Sequence, residues 1–148
     1  MWMSFIEQAN QVCDVPYSQI QVGTKAIYTK TITNEDVLEF AKVTGDINPI
    51  HVDDEFAETT MFKERIAHGM LTAGYISTLI GTKLPGKNTL YLSQDVKFKA
   101  PVKIGDTLTV VGEVIEKRDD KQILKMNTHI YNQFEKMVLE GTAVVMKM

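Results

Sequence analysis

The stretch from residue 69 to residue 83 is apolar on nearly every side: Met70, Leu71, Ala73, Tyr75, Ile76, Leu79 and Ile80 fall all round a helical wheel. A helix of that kind has almost no face to give to water and has to be covered. Pro85-Gly86 stops it. Directly afterwards the period of the pattern drops to two. Leu90, Leu92, Gln94, Val96, Phe98 and Ala100 share one face of a strand, and Tyr91, Ser93, Asp95, Lys97 and Lys99 share the other. Residues 107–117, 122–131 and 136–147 also read as strands. Turn residues of hairpin size separate them, at Pro101 and Gly105-Asp106, at Asp119-Asp120 and at Asn132-Gln133. One very apolar helix beside a run of antiparallel strands leaves few solutions. The fold class is α+β, with a twisted, mostly antiparallel sheet wrapped around the helix. Such a sheet has open edges, which are commonly paired or covered, so a homodimer is expected.

The first half of the chain carries the loops. Residues 4–12 read as a short helix and residues 24–32 as a weakly alternating strand. Thr33 looks like an N-cap with Asp36 three residues on. Val37, Phe40, Ala41 and Thr44 follow at helical spacing, so residues 34–44 form a helix with one packed face, ended by Gly45. Residues 45–52 are a loop in which Pro49 keeps Asn48 out of the α region. Residues 53–59 suggest a short acidic helix. No repeat, low-complexity tract or linker interrupts the 148 residues, which read as a single domain. A chain of this size buries about 68–70% of its unfolded surface on folding.

Composition removes several classes of function. The formal net charge of −3 gives no general reason to expect nucleic acid or an anionic membrane as partner. Cys13 is the only cysteine, so an internal disulfide and a Cys-based metal cluster are both excluded. Nothing near Cys13 favours its thiolate as a nucleophile. The first residues lack the basic and long apolar regions of a signal peptide, and no apolar run approaches the ~20 residues of a membrane span. A cytoplasmic protein is expected. There is neither a phosphate-cradling glycine loop nor a Gly-x-Ser-x-Gly nucleophile elbow.

What remains is chemistry of acids, bases and helix ends. Asp46 and His51 lie five positions apart on the Pro-stiffened loop, close enough to share one water molecule. A positioned pair of this kind contributes about 10²–10⁴ in rate. A helix-capping Asp and a packed His are the competing reading. Gly69 opens the apolar helix. Its N–H is one of the unsatisfied donors at a helix N-terminus, and without a side chain it lets a carbonyl approach the backbone closely. A glycine needed only for helix entry or packing is the alternative. His68 reads as a scaffold group beside that donor. A metal site from His51, Asp53 and His68 matches no tight ligand spacing. His129 falls on an alternating strand, where it faces outward or fills a gap.

Phe40 to Ala57 resembles the signature of the MaoC-like (R)-specific enoyl-CoA hydratases: an aromatic residue, two spacers, an aliphatic and a small residue, then Gly45-Asp46-x-Asn48-Pro49-Ile50-His51, five spacers and a small residue. Arg65-Ile66-Ala67-His68-Gly69-Met70-Leu71 also resembles the family, and Lys97 to Val102 with Gly105-Asp106 does so more weakly. The resemblance runs from about residue 20 onward and leaves the first 20 residues as an N-terminal extension. It implies the hot-dog fold, an antiparallel sheet around a long central helix, generally as a homodimer. The implied reaction is reversible hydration of trans-2-enoyl-CoA to (R)-3-hydroxyacyl-CoA. In that reading Asp46 and His51 activate water, Asn48 supports the loop, and Gly69 N–H polarises the thioester carbonyl. Ser77 lies near the active site, and Ile80 and Val145 line the acyl pocket. No metal or redox cofactor is implied, since CoA belongs to the substrate.

Lys97, Lys99 and Arg65 are candidates for the CoA phosphates, though solvated surface charge is the better reading for each. Three other readings stay open: a dehydratase acting on acyl-carrier-protein thioesters, a thioesterase on the same fold, and a non-catalytic acyl-CoA-binding protein. The intact Asp46/Asn48/His51 set argues against the last, because a binder needs only the pocket.

Overall fold

A computed structural model describes residues 2–148. Along the chain run α1 (Phe5–Asn10), a 3₁₀ turn (Tyr17–Gln19), β1 (Lys25–Thr31), α2 (Asn34–Thr44), α3 (Pro49–Val52), α4 (Asp54–Glu58) and α5 (Gly69–Thr82). Then come β2 (Thr89–Phe98), β3 (Thr107–Arg118), β4 (Ile123–Tyr131) and β5 (Met137–Lys147). The five strands make one sheet in the order β1-β3-β4-β5-β2, with every neighbouring pair antiparallel. Strands β3 and β4 bury alternate residues, Leu108, Val110 and Val114 on one and Leu124, Met126, Thr128 and Ile130 on the other. That face packs on α5 through Ile76, Leu79 and Ile80, all at most 2% exposed. Burying each such side chain stabilises the fold by about 1.5–3 kcal/mol, enough to hold the helix on the sheet without any help from propensity.

Three expectations need correction. The even alternation along β2 breaks at a bulge, where the pairing with β5 shifts between Tyr91 and Ser93. The extra residue flips the faces. Leu90 and Leu92 therefore point to solvent while Tyr91, Gln94 and Val96 are half-buried. Helix α5 is also not covered all round. Met70, Gly74, Ser77 and Gly81 form an exposed stripe, because a single five-stranded sheet can wrap only one side of a helix. The loop expected over residues 45–52 contains one short helix, α3, started by Pro49 at its first turn.

Helix α2 begins and ends as its sequence dictates. Thr33 and Asp36 form a reciprocal capping box, with Asp36 N–H donating to Thr33 Oγ1 at 3.1 Å and Thr33 N–H donating to Asp36 Oδ2 at 2.9 Å. Burial alone would raise the Asp36 carboxyl. The Thr33 N–H and the Lys30 ammonium, 3.1 Å away, outweigh it and hold the group below the ordinary carboxylate value. Gly45 closes the helix in the left-handed region at φ 82°, its N–H donating to Ala41 O at 2.9 Å. That residue turns the chain out of α2 and into the Asp46–His51 segment, a turn glycine makes without steric cost.

The first 20 residues divide in two. Helix α1 buries nothing. Residues 13–15 are pinned to the end of α5 by Cys13 N–H to Thr82 O and Val15 N–H to Pro85 O, both 2.9 Å, and Ile20 is fully buried in the core. Among the described residues no helix is long and apolar enough to cross a membrane.

Candidate active site

The Asp46–His51 loop is built from its own backbone. Asp46 N–H donates to Thr44 Oγ1 at 3.2 Å, and Asn48 N–H donates to Asp46 Oδ1 at 3.3 Å. Asn48 Oδ1 accepts from Ile50 N–H at 3.2 Å and so caps α3. Those bonds leave the exposed Asp46 carboxylate tethered at one oxygen. They also place His51 one turn into α3, the position from which its ring turns inward toward residues 66–68.

There His51 Nδ1 lies 2.8 Å from Ile66 O. A carbonyl only accepts, so Nδ1 carries a proton, and in the neutral ring the lone pair is on Nε2. The His51 ring stacks on His68 with centroids 3.9 Å apart and planes 29° from parallel. His68 is 2% exposed and is held on another side by Phe40, 4.8 Å away. Its Nε2 donates to the main-chain oxygen of Asp46 at 2.9 Å.

The segment before α5 is fixed by Ala67 N–H to Val102 O at 2.7 Å and by a bridge between Ile66 and Lys103. This delivers Gly69 as the first residue of α5, with an N–H that meets no acceptor among the described residues. A side chain at Gly69 would meet the Phe98 ring at 2.9 Å, so the glycine keeps the helix end both bare and closely packed.

Asp46, His51, His68 and Gly69 line a single cavity of about 550 Å³ together with Phe98 and Val138. That volume falls within the ~300–1,000 Å³ range of small-molecule sites. The cavity carries a carboxylate and an imidazole lone pair on the loop, and a bare N–H on the helix. Such a set can hold a water on one side and polarise a carbonyl on the other.

The other residues singled out in sequence sit elsewhere. Asn48 is exposed as the α3 cap. Ser77 lies on the exposed stripe of α5, while Ile80 and Val145 are packed in the core, and none of the three lines this cavity. Asp53 caps α4 through the N–H groups of Glu55 and Phe56 and does not join the histidines. The set nearest to a metal site is Asp46, His51 and His68, whose ligand-capable atoms lie within 4.8 Å of one another. His68 Nε2 is engaged with Asp46 O, and its Nδ1 is occluded from solvent.

Arg65 has a role that sequence reasoning missed. Its side chain is only 11% exposed and ties three elements together. It donates to Asp54 Oδ1 at 2.9 Å, to His51 O at 3.2 Å and to Asn34 Oδ1. It therefore braces the backbone of His51 and is not a free phosphate contact; the acidic helix it faces was the available signal. Lys99 lines the cavity, paired at 3.6 Å with Glu140, both half-exposed. His129 is half-buried and accepts from Gly141 N–H at 3.3 Å, filling a gap between β4 and β5.

Comparison with known proteins follows the same lines. Residues 17–133 match the family described as the MaoC like domain. The chain is 45% identical over 130 residues to the (R)-specific enoyl-CoA hydratase of Rhodospirillum rubrum, covering 88% of this chain and 90% of that one. It is 43% identical over 126 residues to the enzyme of the same name from Aeromonas caviae, covering 85% and 94%. Among solved structures, the unliganded R-hydratase PhaJ1 from Pseudomonas aeruginosa superposes with a TM-score of 0.89 at 48% identity, covering 92% of this chain and 87% of that one.

Proposed function

The chain belongs to the MaoC-like domain family, and from that membership we propose that it hydrates trans-2-enoyl-CoA reversibly to (R)-3-hydroxyacyl-CoA. One observation carries the assignment of roles: Asp46, His51 and Gly69 line the same cavity. The thioester carbonyl accepts from Gly69 N–H at the positive end of α5, which draws electron density from the β-carbon. The Asp46 carboxylate and His51 Nε2 accept the two hydrogens of a water. The pair takes one proton as the water oxygen bonds to the β-carbon. Negative charge moves to the thioester oxygen against Gly69 N–H. The enolate then collapses as the pair returns a proton to the α-carbon, so H and OH have added across the double bond with no net change in protons. Asn48 serves the reaction by fixing the loop. Lys99, at the cavity edge, suits the anionic CoA end.

The acyl chain runs along the exposed face of α5 toward Ser77, about 12 Å from Gly69 at a rise of 1.5 Å per residue. In this reading a second copy of the chain closes the channel. The exposed α5 stripe, the unpaired edge of β2 and the outward Leu90 and Leu92 support a homodimer. Sedimentation at micromolar concentration is expected to give a dimer; a monomer with full activity contradicts it. A lone, exposed Cys13 fits a reducing compartment such as the cytoplasm.

The direct test mixes purified protein with crotonyl-CoA and follows loss of the enoyl absorbance, with chiral analysis of the product. Rapid loss and an (R)-3-hydroxyacyl product are expected. Free CoA release without a hydroxyacyl product, or no reaction, sinks the proposal.

A further inference from the structure

We propose that His68 is a positioning residue for this hydration, kept neutral with its proton on Nε2, so that of the two stacked imidazoles only His51 moves protons. The inference rests on the hydratase reading above and deepens it.

Three contacts meet at this one ring. Its Nε2–H holds the main-chain oxygen of Asp46 at 2.9 Å. Its face lies against His51 at 3.9 Å. Its own backbone is the N-cap of α5, directly before Gly69, yet its side chain makes no capping bond. A typical N-cap side chain turns back to the helix N–H groups; this one turns away from them and toward the catalytic loop. His68 therefore sets the distance between the water-activating loop and the carbonyl-polarising helix end, and it backs the ring of His51.

The neutral state follows from the same geometry. Asp46 O can only accept, so Nε2 carries a proton. The other nitrogen, Nδ1, is occluded from solvent and has no partner among the described residues. A second proton there would leave a buried cationic donor without an acceptor, which is strongly unfavourable. It would also place a like charge beside His51 whenever His51 has taken the water's proton. A neutral ring in that position instead offers its π face to the transient imidazolium.

The experiment has two arms. His68→Phe keeps a ring for the stack and loses the bond to Asp46, while His68→Gln restores an amide N–H near the Nε2 position. For His68→Phe, kcat per folded enzyme is expected to drop about 10- to 100-fold, the scale of a misplaced catalytic group, with KM within a few-fold. His68→Gln should recover most of it. Unchanged kcat in His68→Phe, or losses in both variants that only follow the folded fraction, overturn the proposal. The second arm needs no variant. With three histidines in the chain, ¹⁵N-imidazole NMR of the wild type at neutral pH should resolve His68 as a neutral ring protonated at Nε2. An Nδ1–H tautomer or an imidazolium at His68 overturns the proposal on its own, whether or not crotonyl-CoA is hydrated. Absent turnover by the wild type sinks the hydratase reading and leaves the tautomer result standing.

Discussion

Asp46→Asn and His51→Asn are each expected to lower kcat by about 10²–10⁴ while leaving KM within a few-fold. Both substitutions are chosen to spare the scaffold. The first retains a side-chain oxygen for the N–H of Asn48, which in the wild type bonds Asp46 Oδ1 at 3.3 Å, and loses only the charge. In the second, an amide near the Nδ1 position still donates to Ile66 O, now 2.8 Å from the ring, and only the Nε2 lone pair disappears. Thermal stability should change little, so lost turnover reports chemistry and not folding. The double variant should be hardly slower than the worse single one, because in the proposed reaction the two groups act on one water as a unit. Steady-state kinetics with crotonyl-CoA decide the matter. Either single variant retaining most wild-type turnover would remove that residue from the proton transfers.

The sequence displays the parts of this site more clearly than their connections. The period change at residue 84–90, the capping box at Thr33 and the glycine at residue 45 are local signals, and each maps onto a feature of the backbone. The β2 bulge left no such mark. An extra residue is accommodated by the partner strand, and alternation read from one strand alone assigns Leu90 and Leu92 to the wrong face. The uncovered stripe of α5 was hidden for a similar reason. Gly74, Ser77 and Gly81 are small, and a wheel of otherwise large apolar residues reads as buried all round even where this chain supplies nothing to cover them.

Within the site, the local spacing of Asp46 and His51 was visible because one loop carries both. The stack of His51 on His68 and the brace from Arg65 bring together residues that are 11 to 31 positions apart. Contacts over that separation depend on how α2, α4 and the entry to α5 pack, which no spacing rule encodes. Arg65 illustrates the consequence: a basic residue near an expected phosphate-bearing ligand invites a binding role, and tertiary packing instead spends its donors on the protein.

Gly69→Pro should abolish most turnover where Gly69→Ala does not, with a difference of about 10²–10³ in kcat, the range for one oxyanion donor. The pair isolates a single hydrogen. Both new residues carry a Cβ, and that atom meets Phe98 at 2.9 Å in either case. Phe98 is 52% exposed and has room to swing aside, so both variants disturb the cavity wall alike. Only proline also deletes the N–H. The helix itself tolerates the change: Gly69 is the first residue of α5, where proline is well accepted because its missing N–H serves no intrahelical bond. The preceding residue is already suited, since His68 sits at φ −60°, ψ 136°, the extended conformation that a residue before proline adopts. Both variants should therefore fold, with melting temperatures close to each other. Equal turnover in the two would mean that the thioester oxygen finds its donor elsewhere, and the polarising role of the α5 terminus would fall even with Asp46 and His51 intact. A loss confined to the proline variant, with substrate affinity largely kept, would place the donor's effect where charge builds on the oxygen during reaction, which is where a fixed N–H at the positive end of a helix acts most strongly.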